Sequence, residues 1–141
     1  MTDNQINMDE RTGLVVMTSD ECGELLTSTP IGRMVFNDGD QPLALPVNFA
    51  WVDDTVVFRT LEGQKLHAAI DGAKVCFEVD RWDEQSDTGA SVLVKGQAVE
   101  VTQWAEQEQL EQLDVRPWSR QPWRQAWVRV IPNEITGRRL G

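Results

Sequence analysis

The sequence predicts a single domain of mainly β structure, a six-stranded antiparallel barrel with short flanking helices. Apolar residues occupy alternate positions from Leu43 to Trp51, which is the period of a strand with one buried face. Turn signals at residues 37–40 and at Asp53-Asp54 separate successive strand patterns. Strands joined by such tight turns pair antiparallel, so a barrel is favoured over a parallel α/β sheet.

The helices and strands can be placed in chain order. Residues 1–13 lack periodicity and are expected to form a flexible tail, with the domain covering residues 14–141. Thr18 and Glu21 have the spacing of a capping box, which predicts a helix that ends before Pro30. The other predicted helices cover residues 62–70 and 103–113. The predicted strands cover residues 31–36, 43–51, 55–60, 74–82, 91–102 and 126–131, and a weaker pattern at 134–140 would add a seventh.

Gly96 interrupts the longest of these strand patterns. A glycine inside a strand is typical of a bulge or of a bend at a barrel corner. A six-stranded barrel is narrow enough to be filled by its own side chains. We therefore expect a ligand to bind on the outside of the barrel or at a subunit interface.

Composition excludes several classes of function. The formal net charge of −10 over 141 residues repels nucleic acid and anionic membrane surfaces. The first residues have neither a basic start nor an apolar stretch, so a cytoplasmic protein is expected, with Cys22 and Cys76 as free thiols. One histidine, His67, and two distant cysteines do not make a metal site.

Residues 45–66 combine features that a purely structural interpretation does not need. Pro46 lies within the best strand and lacks a backbone N–H, so that edge of the strand is predicted to have no neighbour. Arg59 and Thr60 end the next strand, and Lys65 follows Gly63 at the predicted start of a helix. Positive charge at a helix start is typical of an anion site. Taken alone, Lys65 could be a solvated lysine and Arg59 half of a surface ion pair.

The order of these motifs resembles a known family. A Pro46-Val47-Asn48 strand precedes a tight hairpin, a strand ending in Phe58-Arg59-Thr60, a Gly63-Gln64-Lys65 loop, and a later strand that begins with Ser91. This order is similar to that of flavin-binding split-barrel proteins related to pyridoxamine 5′-phosphate oxidase. The oxidase's substrate-binding arginine and histidine set near the C-terminus is not found, so the substrate is an unknown small molecule.

The resemblance implies a split β-barrel that forms a homodimer with FMN, or alternatively a deazaflavin, at the dimer interface. It implies that Thr60 and Lys65 hold the phosphate, with Arg59 as a helper. The other cofactor-binding residues that it implies are Leu45, Pro46, Val47 and Asn48 along the isoalloxazine ring, Gly63 and Leu66 in the phosphate loop, and Ser91 from the same or the opposite subunit.

Two functions remain open. In the first, the protein is a flavin-dependent oxidoreductase, because the cofactor carries the hydride chemistry and no protein acid or base is required. In the second, it is a non-catalytic protein that binds or carries a flavin, a deazaflavin or haem. His67 is interpreted as a surface or interface residue, because no Asp, Cys or Ser partner stands at a suitable spacing.

Overall fold

The computed structural model describes residues 7–61, 67, 70–118 and 125–140. The described residues form the helices α1 (Ser19–Ser28) and α2 (Trp104–Glu111) and the strands β1 (Val15–Val16), β2 (Ile31–Asp38), β3 (Gln41–Val52), β4 (Thr55–Leu61), β5 (Lys74–Asp83), β6 (Thr88–Glu100) and β7 (Gln125–Arg139). None of the helices among these residues is long and apolar enough to cross a lipid bilayer.

All strand pairs are antiparallel, in the order β1-β7-β4-β3-β2-β5-β6, and an additional pairing of β6 with β7 closes the barrel. The prediction of mainly β structure in an antiparallel barrel is confirmed. The predicted number of six strands is wrong, since the described part of the chain has seven. The extra strand is β1, whose two residues pair with Arg138 and Arg139 and are too few to show a period.

The two strand patterns predicted at the C-terminal end form the single strand β7. Its pairing with β6 shifts register between Lys95 and Gly96, because Lys95 lies opposite Glu134 and Gly96 lies opposite Pro132. Asn133 is the extra residue of this bulge, which confirms the irregularity predicted at Gly96. Because the bulge accommodates this one unpaired residue, both patterns belong to one continuous strand.

The interior of the barrel is filled by side chains, as predicted. Phe49, Phe58 and Phe77 are at most 6% exposed, and the rings of Phe49 and Phe77 pack edge to face with centroids 4.6 Å apart. Leu25 and Leu26 of α1 belong to the same apolar core. A second apolar cluster lies outside the barrel, where Leu110 of α2 packs over Val57 of β4 and Trp127 of β7.

The predicted capping box at the start of α1 is confirmed. The Thr18 hydroxyl accepts from the Glu21 backbone N–H at 3.2 Å, and the Glu21 carboxylate accepts from the Thr18 backbone N–H at 3.1 Å. Glu21 also accepts from Arg139 at 3.1 Å, and Asp9 accepts from Arg138 at 3.0 Å. These two ion pairs fasten α1 and the segment before β1 to the end of β7.

Candidate functional site

The barrel opens between β3 and β4. β3 pairs with β2 from Gln41 to Asn48, but with β4 only from Phe49 to Val52. β4 instead continues beside β7 as far as Leu61. Among the described residues, the β3 edge at residues 44–47 therefore has no strand partner on the β4 side. We call this opening, between residues 44–48 of β3 and residues 59–61 of β4, the cleft.

Pro46 lies on the open edge of this cleft. The Phe49 backbone N–H donates to the Pro30 carbonyl at 3.2 Å, so the N–H groups of odd-numbered residues in this part of β3 point away from the cleft. Backbone groups alternate in direction along a strand, so Ala44 directs its N–H and its carbonyl into the cleft, and Pro46 directs its carbonyl there. The prediction that Pro46 marks a strand edge without a neighbour is confirmed.

The other predicted residues of β3 divide between the two faces of the sheet. Leu45 and Val47 share the inner face with Met34 and Phe49, and Val47 is buried whereas Leu45 is 39% exposed. Pro46 and Asn48 lie on the outer face. A ligand that uses the open edge can therefore contact the backbone groups of Ala44 and Pro46 and the outer-face side chains, while Val47 supports the strand from inside.

Arg59 stands on β4 at the point where β4 leaves β3. Its Nη2 donates to both carboxylate oxygens of Glu111, at 2.5 and 2.6 Å, and its guanidinium lies 4.7 Å from the centroid of the Trp127 ring. The Trp127 Nε1–H donates to Glu111 Oε1 at 2.8 Å. Arg59 Nε is buried and has no hydrogen-bond partner among the described residues. The ion-pair alternative left open by the sequence is thus present, and the phosphate role of Arg59 stays a prediction.

Two of the other predicted site residues, Thr60 and Ser91, are not brought together with Arg59. Thr60 is buried, 6% exposed, and its side chain leaves β4 on the face opposite to that of Arg59. Ser91 lies on β6 opposite Asp80 of β5, so β2 and β5 separate it from β3 by about 14 Å of sheet width. Gly63, Lys65 and Leu66 lie outside the described residues.

A charged cluster beside Pro46 was not predicted from the sequence. Arg33 of β2 pairs directly with Pro46, and its Nη1 lies 3.5 Å from Glu78 Oε1 and 3.3 Å from Asp80 Oδ2 of β5. Burial and the neighbouring Asp80 carboxylate raise the pKa of Glu78 to about 6, although Arg33 opposes the shift. The spacing Glu78-x-Asp80 within a strand pattern was the available signal, because residues two apart share one face.

The Glu78→Gln variant is expected to be more stable than the wild type at pH 7.5, with most of that gain lost at pH 4.5. The folded-state pKa of about 6 lies above the ordinary 4.5, so ionising Glu78 costs stability as the pH rises through this interval. Thermal unfolding at the two pH values measures the difference. Glu84→Gln, in the exposed β5–β6 turn, is the control for loss of one charge. An equal gain at both pH values would contradict the assignment.

Comparison with known proteins agrees with this fold. Residues 18–139 match the model of the family described as pyridoxamine 5′-phosphate oxidase. The chain belongs to this family. The fold is therefore the split barrel of that family, and the cleft between β3 and β4 lies within the matched region.

Two similar proteins cover nearly the whole chain. The structure of an FAD-binding protein from Mycobacterium smegmatis is 36% identical, covers 89% of this chain and 99% of that chain, and superposes with a TM-score of 0.78. An uncharacterised protein from Mycobacterium tuberculosis is 33% identical over 132 residues, which are 90% of this chain and 86% of that protein. A more distant structure, an FAD- and haem-binding protein from M. smegmatis, is 15% identical and superposes with a TM-score of 0.70. The match covers 86% of this chain and 70% of that chain, and at this identity it shows the fold alone.

Proposed function

We propose that this protein binds a phosphorylated flavin in the cleft and uses it as a flavin-dependent oxidoreductase on a small molecule. The observation that carries the proposal is the open β3 edge at residues 44–47 beside Arg59, whose buried Nε lacks a partner in the described structure. FMN is the flavin that the sequence favours, with a deazaflavin as the alternative. The FAD-binding relative that is 36% identical supports a flavin and adds FAD to the candidates.

The groups at the cleft fit the chemistry of such a cofactor. An isoalloxazine ring is planar and carries hydrogen-bonding groups on its edge. The backbone groups that Ala44 and Pro46 direct into the cleft can bind these groups. An unsatisfied buried donor costs about 1–3 kcal/mol, so an acceptor oxygen at Arg59 Nε is favourable. Against a net charge of −10, a phosphate needs local cations, and Arg59 with Lys65 supplies them.

When bound, the flavin supplies the hydride or electron transfer, and the chain supplies position and electrostatics. The β3 edge orients the ring, and Arg59 and Lys65 anchor the phosphate end. Arg33 lies on the outer face of the sheet beside Pro46, but its guanidinium is already paired with Glu78 and Asp80. We further propose that the protein works as a cytoplasmic homodimer, in which Ser91 reaches the cleft of the second subunit, since it lies far from the cleft of its own chain.

Flavin titration of the purified protein tests this proposal. We expect the protein to bind FMN, FAD or a deazaflavin, and the change in flavin fluorescence measures this binding. We expect Lys65→Ala to weaken flavin affinity by about tenfold or more, the effect of one charge-assisted contact. Lys74→Ala, at an exposed position of β5, is the matched control and is expected to bind as the wild type does.

The outcomes separate the parts of the proposal. Failure to bind any of the three flavins overturns the function. Binding that Lys65→Ala leaves unchanged overturns the phosphate-loop assignment only. Reduction of the bound flavin by a nicotinamide cofactor, and its reoxidation by a small-molecule acceptor, distinguishes an enzyme from a carrier protein.

A further inference from the structure

Glu111 already occupies the anion-binding side of Arg59. Glu111 is the last residue of α2. Its carboxylate accepts hydrogen bonds from Arg59 Nη2 at 2.5 and 2.6 Å and from Trp127 Nε1 at 2.8 Å. Trp127 also lies against the guanidinium. Arg59, Glu111 and Trp127 thus form a closed cluster at the edge of the cleft, which we call the Arg59 cluster.

Among the described residues, few contacts hold α2 in this position. Leu110 is its only buried residue, and the N-cap residue Gln103 makes no side-chain capping hydrogen bond. In the first half of the helix, Gln107 donates to the Val101 carbonyl at 2.9 Å, and Arg129 donates to Glu106 at 2.7 Å. A short helix attached in this way can move at low free-energy cost.

The position of Glu111 on the helix is itself unfavourable. The C-terminal end of a helix carries partial negative charge, and a carboxylate there is repelled. α2 has no basic residue in its last turn, and Arg59, from β4, offsets this repulsion. The Glu111 side chain is 50% exposed, which leaves it free to move into solvent if Arg59 is taken by another anion.

Arg59 cannot fully serve two anions at once. A phosphate group offers more charge and more acceptor oxygens than a carboxylate, and it favours two parallel hydrogen bonds from one guanidinium. The Nε of Arg59 is buried and unpartnered, and its Nη2 is committed to Glu111. A phosphate that binds through Nε and Nη2 together therefore has to displace the carboxylate.

We infer that Glu111 is a built-in competitor for the phosphate of the ligand, so that α2 closes over Arg59 in the free protein and is released when a phosphorylated flavin binds. This inference rests on the proposed flavin function. It makes Glu111 a residue that lowers affinity for phosphorylated ligands and couples ligand binding to the movement of α2. It also makes Trp127 a platform that keeps the guanidinium in place while the anion is exchanged.

Binding of FMN and of riboflavin, which lacks the phosphate, tests the inference. Glu111→Gln is expected to bind FMN about fivefold more tightly than the wild type, the scale of one partly exposed ion pair, and to bind riboflavin as the wild type does. The glutamine keeps an oxygen that can accept from Trp127, so the cluster retains that contact. Glu108→Gln, on an exposed residue of α2, removes the same charge and is expected to behave as the wild type.

A double-mutant cycle adds a readout that a general charge effect would not move. In an Arg59→Ala background, Glu111→Gln is expected to give no gain in FMN affinity, because the competed cation is absent. Unchanged or weaker FMN binding by Glu111→Gln, or an equal gain for riboflavin, would overturn the competitor while leaving the flavin function standing. A wild type and a Glu111→Gln variant that both ignore FMN, FAD and a deazaflavin would overturn the flavin function and this inference together.

Discussion

Replacing Gly96 with valine is expected to lower the midpoint of thermal unfolding by about 10 °C, corresponding to on the order of 3 kcal/mol of overpacking in a domain of this size. A Cβ built at Gly96 lies 2.2 Å from the Ile131 carbonyl oxygen and 3.1 Å from the Pro132 Cα. Both obstacles are backbone, which cannot rotate away as a side chain can. The barrel must therefore separate β6 from β7 at the bulge to accept the substitution.

Gly23→Ala provides the matched control for this result. Gly23 lies in α1, and an added Cβ there meets no atom within 4 Å. Alanine is favoured over glycine in a helix by roughly 1 kcal/mol, so the midpoint is expected to rise. If Gly96→Val unfolded at the wild-type temperature, the close approach of β6 and β7 at the bulge would be wrong.

Local patterns were sufficient to predict most of the fold. The alternation from Leu43 to Trp51 located β3, and the Thr18–Glu21 spacing located the start of α1, because both signals depend only on residues near each other in sequence. β1 was missed because two residues have no period. β7 was divided in two because the extra residue Asn133 reverses the alternation within a strand that stays paired throughout.

The candidate site divides in the same way. Pro46 predicted the open strand edge correctly, since the missing N–H of proline is a property of the residue itself. The partner of Arg59 could not be predicted, because Glu111 lies 52 residues away and reaches it only after α2 has packed on the outer face. Arg33 likewise joins Glu78 and Asp80 only through the β2–β5 pairing. The pairing register of strands that are distant in sequence brings these charges together, and this register cannot be predicted from local sequence patterns.

Phe77→Ala is expected to cost about 3–5 kcal/mol of stability, because the ring is fully buried and leaves a cavity that the neighbouring strands cannot close. Gly32 makes this site informative, since a Cβ added there would lie 2.1 Å from Phe77 Cζ. Gly32→Ala alone is therefore expected to destabilise by about 1–3 kcal/mol through overpacking.

In the Phe77→Ala background, the methyl group of Gly32→Ala has the vacated ring volume to enter. The Glu78 carbonyl, 3.0 Å from the same Cβ, is the remaining restriction. We expect Gly32→Ala to cost at least about 1 kcal/mol less there than in the wild type, a coupling typical of side chains in contact. Denaturant unfolding of the four proteins measures it. Strictly additive effects would mean that Gly32 and Phe77 are not in contact. The close approach of the β2 backbone to the Phe77 ring would then be wrong.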